Sequence, residues 1–136
     1  MIIFKNNAAD VQWSLEMNAI ICHWKDNTNF EELKEVILAV TELQEVNQLD
    51  YYISDRSSLD YLWSGYLEWY SFKLFQVQLS DYFKKIMVLD PNNSFNKNLL
   101  SNHEQISTAY SHQKIKHFTK ATQLNNYIHK ISIESM

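Results

Sequence analysis

Glycine, proline, cysteine and arginine each occur once in this chain of 136 residues, as Gly65, Pro91, Cys22 and Arg56. Each scarcity removes a class of function. One glycine cannot build a loop whose bare amides cradle a phosphate, so dinucleotide fingerprints and phosphate-binding loops are excluded. One cysteine allows no internal disulfide and no Cys-x-x-Cys motif, and it fits a reducing compartment. Twelve lysines plus arginines stand against 16 acids, a formal charge of −4, and Lys84-Lys85 and Lys114/Lys116 are the only local basic pairs. A nucleic-acid backbone needs a concentrated basic face, so no nucleic acid is expected as a partner. No apolar run approaches the ~20 residues of a membrane span. The opening MIIFKNNAAD turns polar too soon for a signal-peptide core. The expected setting is the cytoplasm.

What is present describes a folded chain. A hydrophobic fraction of 46%, with 14% aromatic residues, is enough to build a core, and no linker, repeat or low-complexity tract divides it. One domain over 1–136 is expected. Thirteen asparagines are the natural substitutes for glycine at turns and left-handed positions. IIF (2–4), VQWSLE (11–16) and NAIICHWK (18–25) read as strands, with Met17-Asn18 as the turn of a hairpin. Thr28 with Glu31, or Asn29 with Glu32, has capping-box spacing, in which the Glu reaches back to an orphan amide. Leu33, Val36, Ile37, Val40 and Leu43 then mark one face of a helix.

LDYYIS (49–54) reads as a strand, 61–79 as a helix, and YFKKIMVLD (82–90) as a strand stopped by Asp-Pro-Asn-Asn. A helix over 94–110 with Phe95, Leu99, Ile106 and Tyr110 inward follows, then the strand KIKHF (114–118). A last helix capped by Thr119 would bury Ala121, Leu124 and Ile128. This order predicts an α/β fold: a mixed, mostly parallel sheet, an N-terminal antiparallel hairpin and about four helices. Such sheets offer their functional groups at the carboxyl ends of the strands, where Asp55, Asp90 and the loop at Asp26 fall.

The stretches NAIICHWKDNTNFEELKEVI, LDYYISDRSS, WSGYLEWY, KKIMVLD and HFTKATQLNNYI together resemble the bacterial STAS-like family. That family is named from sulfate transporters and anti-sigma-factor antagonists. The likeness is to its uncharacterised stand-alone Bacteroidetes branch and covers nearly the whole chain. In signalling members an anti-sigma kinase phosphorylates a serine in an Asp-Ser-Ser-Gly-like loop that opens the helix after the corresponding strand. The resemblance therefore makes Ser57, Ser58 and Ser64 phosphorylation candidates. Ser64-Gly65 has the family's dipeptide but lacks the preceding Asp-Ser and stands further from Asp55 than the pattern has it.

Asp55 invites comparison with a strand-end phosphoacceptor, but metal-assisted phosphoryl transfer needs a clustered acidic pair, and Trp24-Lys25-Asp26 offers one acid. The expectation is that Asp55 caps a turn, or pairs with Arg56 or a loop amide. Cys22 and His23 are neighbours on a strand and so point to opposite faces, which prevents a nucleophile–base dyad between them. His103, His112, His117 and His129 have no metal-binding spacing, and Gly-x-Ser-x-Gly is absent, so no metal, cofactor or catalytic residue is expected. A hydrolase or transferase built on Asp55, Ser57 and a histidine would need that histidine within hydrogen-bond reach of Ser57 or Ser58.

On the helix predicted over 61–79, Trp63, Tyr66, Leu67, Tyr70, Leu74 and Val77 form a core stripe, leaving Trp69, Phe72 and Phe75 on the far side. Aromatics facing water mark a contact surface. These features lead to the expectation of a non-enzymatic STAS-like regulatory module for protein interaction or ligand sensing. Asp55, Arg56, Ser57, Ser58 and Tyr61 would form its recognition loop, and Trp69, Phe72 and Phe75 a homodimer interface. The alternative is a carrier of a small apolar, lipid-like ligand lining its pocket with the same aromatics.

Overall fold

Apolar residues in the central strands run almost continuously, and the architecture supplies the reason: a helix covers each face of the sheet. The computed structural model describes residues 2–25, 29–58, 82–90 and 115–134. Among the described residues six strands form one sheet: β1 (Ile2–Lys5), β2 (Ala9–Ser14), β3 (Ala19–Trp24), β4 (Tyr51–Asp55), β5 (Lys85–Leu89) and β6 (Ile115–Phe118). Their spatial order follows the chain order, β1 to β6. β1–β2 and β2–β3 are antiparallel, while β3, β4, β5 and β6 are parallel. The mixed, mostly parallel sheet with an antiparallel start is the predicted one. The described residues hold two helices, α1 (Phe30–Asn47) and α2 (Ala121–Glu134). The helices predicted over 61–79 and 94–110 lie outside the described residues.

Alternation along the strands divides the core in two. Val11, Ile20, Cys22, Trp24, Tyr52, Ile86 and Val88 face α1, which contributes Leu33, Val36 and Val40. Ala19, Ile21, Tyr51, Ile53, Met87 and Leu89 face α2, which contributes Leu124, Ile128 and Ile131. Ala121, predicted inward, is exposed because it precedes the apolar stripe of α2 by most of a turn. Thr119 is not the cap residue itself: Lys120 carries the carbonyl that accepts the first helical amides, and the Thr119 hydroxyl donates to the Gln123 side chain at 3.4 Å.

The local signals explain the joints. Ser14↔Ala19 is the last register pair of the hairpin, so the turn occupies four residues, Leu15 to Asn18, where two were predicted. Asn18 takes φ 55°, the left-handed region that a glycine-poor chain assigns to asparagine. Of the two capping spacings, the structure uses Asn29 and Glu32: Asn29 Oδ1 accepts from the Glu32 amide at 2.8 Å. The Glu32 carboxylate accepts from Asn29 Nδ2 at 2.9 Å and from the Asn7 amide at 2.8 Å, which ties α1 to the β1–β2 turn. α1 ends at Gln48, also left-handed at φ 51°. Beneath that end the buried Gln44 side chain donates to Leu49 O at 2.6 Å and Tyr82 O at 2.8 Å and accepts from Leu49 N at 3.0 Å. One amide therefore links α1, the entry to β4 and the entry to β5.

Candidate functional site

The parallel register sets His23 beside Asp55 at the carboxyl ends of β3 and β4. Both side chains alternate away from the α1 core, onto the face that carries α2. His23 Nδ1 lies 2.8 Å from Asp55 Oδ2, and His23 Nε2 lies 3.2 Å from Gln12 Oε1 on β2. The other carboxylate oxygen, Asp55 Oδ1, accepts from the Ser57 amide at 3.0 Å and the Ser57 hydroxyl at 2.6 Å. The Asp55 carboxylate thus serves the loop on one oxygen and the imidazole on the other. Partial burial raises its pKa, but the hydrogen bonds from His23 and from the Ser57 hydroxyl and amide, with the His23 charge, more than offset this. The carboxyl ends below its ordinary range.

Arg56 goes the other way. Its side chain is fully buried on the α1 side, and its Nε donates to Ser54 Oγ at 3.3 Å. Trp24 Nε1 donates to the same hydroxyl at 3.0 Å. Arg56 N donates to Leu89 O at 2.9 Å, pinning the loop onto the end of β5. Arg56 and Asp55 therefore lie on opposite faces of the sheet, and Asp55 takes His23 and Ser57 as its partners. Ser57 is half-buried and Ser58 exposed. Tyr61, Ser64, Trp69, Phe72 and Phe75 lie outside the described residues.

A second acid–imidazole pair closes the same edge on the opposite face. Asp90, only 2% exposed, has its oxygens 3.1 and 3.2 Å from His117 Nδ1. Asp90 N donates to Phe118 O at 2.8 Å, so this acid also ties neighbouring strands. Cys22 is fully buried beside Tyr52, and burial pushes its thiol far above the ordinary range, as it does the Tyr52 phenol. A protonated, enclosed thiol is a core residue, as the sequence implied.

The order of hydrogen bonds decides what this cluster can do. It runs Ser57–Asp55–His23, with the acid in the middle. A nucleophilic serine needs an imidazole adjacent to its hydroxyl to take the proton, and here the hydroxyl donates to a carboxylate held in its weakly basic form. Among the described residues, no three His, Cys, Asp or Glu side chains converge to hold a metal ion. No described helix is long and apolar enough to cross a membrane. No protein-family model matches the chain, and neither a curated protein nor a solved structure matches it.

Asp55 was legible from the sequence as a loop-shaping strand-end acid. His23 was not, because its role depends on the register that places it opposite Asp55. The available signal was period two: His23 and Asp55 both alternate with core residues, Cys22 and Trp24 on one strand and Ser54 on the other.

Proposed function

We propose that this chain is a non-enzymatic regulatory module of STAS-like type that recognises a protein partner or ligand at the carboxyl edge of its parallel strands. The observation that carries the reading is the complete engagement of Asp55. Both of its oxygens are used to hold the 55–58 loop against His23, which supports a shaped recognition surface over a reacting group. His23 remains 41% exposed and Asp55 18%, so the cluster is firm beneath and accessible above. Ser57 gives this edge a means of control. A phosphoryl group on its oxygen would remove the donor to Asp55 and set a dianion against the carboxylate, opening the loop.

Self-association through Trp69, Phe72 and Phe75 belongs to the same reading and rests on the sequence pattern. The apolar-carrier alternative gains nothing from the cleft of about 540 Å³ beside the end of α1, which is lined by Gln44, Glu45, Gln48, Asp50 and Lys84 among others.

The test places a photo-crosslinking residue at exposed Ser58 in the producing cell and, as a control, at exposed Gln48 on the opposite edge. A discrete adduct formed only from position 58, and lost in Asp55→Ala, supports the recognition edge. Equal adducts from both positions, or none from 58, overturn it. Native mass spectrometry of the same protein reports the dimer, and a monomer carrying an apolar adduct would favour the carrier.

A further inference from the structure

We infer that the groove between β1 and α1 is a docking site for a cationic amphipathic helix of a partner protein. The groove holds about 370 Å³ and is walled by Ile3 and Phe4 on β1 and by Ala39, Leu43 and Val46 on α1. Val46 is 82% exposed, and Leu38, one face further round the helix, is 59% exposed. An exposed valine at the mouth of an apolar cleft marks an interaction surface, which Leu38 extends around the helix.

The charges around it select the occupant. At about 100° per residue, Glu35 and Glu42 fall next to Ala39 and Val46 along the lip of the groove, and Glu45 lies beside Leu38. All three glutamates are exposed, and Glu42 also lines the cleft. Lys34, the only base on α1, falls on the flank away from the groove, and the last turn carries no base. A second copy of the chain docked here about a two-fold axis would bring Glu35, Glu42 and Glu45 close to their own counterparts, with a formal charge of −4 on each chain. A helix with an apolar stripe bordered by lysines or arginines meets both the cleft and its rim. This surface is separate from the strand-end cluster around Asp55, so the two readings stand or fall independently.

The probe is a synthetic 18-residue amphipathic helix of leucine and lysine, matched in length to α1, with a leucine–glutamate version as control. It is titrated into the isotope-labelled full chain while backbone amide shifts are followed. The expected shifts centre on Ile3, Ala39, Leu43 and Val46, with no shifts from the control peptide. Affinity should fall about tenfold in Val46→Lys and about tenfold in Glu35→Gln/Glu42→Gln, and should weaken with added salt. Val46 is a solvent-facing position, and an unchanged amide spectrum of the free variant confirms its fold. Shifts centred on residues 55–58, or affinity indifferent to both variants, would overturn the assignment. A concentration-dependent dimer abolished by Val46→Lys would overturn it as well, giving the groove to a second copy.

Discussion

His23 and Asp55 stand opposite each other in the parallel register of β3 and β4, and their side chains meet at 2.8 Å. One strand ends in the acid and its neighbour supplies the imidazole, so the contact exists only once the sheet has formed. The pair reports assembly of the carboxyl edge.

The first expected outcome concerns acid. Asp55 has a carboxyl held below its ordinary range, so the folded state binds its proton less readily than the unfolded chain. Its contribution is fully present above the unfolded value of ~3.9 and is lost as pH falls through the lower folded value. Urea unfolding at a series of pH values should show that Asp55→Asn loses less stability than the parent chain as pH falls below about 4. Equal slopes would mean that the carboxylate contributes nothing specific.

The Ser57 hydroxyl donates to Asp55 at 2.6 Å. Ser57→Ala should cost about 1 kcal/mol, the net worth of one such hydrogen bond. Ser57→Glu should cost more, because it adds a like charge beside the carboxylate. Chemical denaturation of the two variants gives the comparison, and an ordering reversed from this one would show that the loop does not lean on Asp55.

Gln44 satisfies three backbone groups at the amino edge of the sheet. Gln44→Leu has a similar volume but leaves buried polar groups unpaired, and it should destabilise the fold by about 2–3 kcal/mol. Gln44→Glu would keep one acceptor and lose the donors. It should fail by a similar amount at neutral pH and recover partly in mild acid, where a protonated carboxyl donates again.

Cys22 is enclosed and its thiol stays protonated. A thiol reagent should reach it only through opening of the fold, far more slowly than in the unfolded chain, and core variants such as Val40→Ala should accelerate the reaction. Rapid, stoichiometric labelling of the native chain near neutral pH would contradict the burial.

Gln48 holds a left-handed conformation at φ 51° that costs a side-chain-bearing residue energy. Gln48→Gly should raise stability by about 0.5–1 kcal/mol, which thermal unfolding would register as a rise in midpoint.

The sequence was most informative where short-range physics governs. The asparagine at the hairpin turn, the Asn29/Glu32 spacing, and the stripe of Leu33, Val36 and Val40 each depend on near neighbours, and each fell where the pattern put it. Strand ends were less clear: β2 begins at Ala9, two residues before the alternation becomes visible, because Ala9 pairs with Trp24 at the far end of β3. The site was half legible. Asp55 could be placed at a strand end, but its partner depends on register between strands nearly thirty residues apart in the chain. The burial of Arg56 was likewise hidden, because an arginine beside an exposed loop reads as a surface charge until alternation assigns it to the face opposite Asp55. His117 and Asp90 repeat the lesson on β5 and β6, where each looked like a separate loop or strand feature.

The sheet order, β1 through β6 without a crossing-over of positions, also bears on synthesis. Each described strand pairs with the one made immediately before it, and among the described strands none needs a later segment inserted beside it. Among the described strands, that order allows pairing to propagate from the hairpin outwards. The two acid–imidazole pairs follow the same order: His23 with Asp55 can close before β5 exists, and Asp90 with His117 closes last. Their sequence of closure would serve as a clock for how far the nascent sheet has grown.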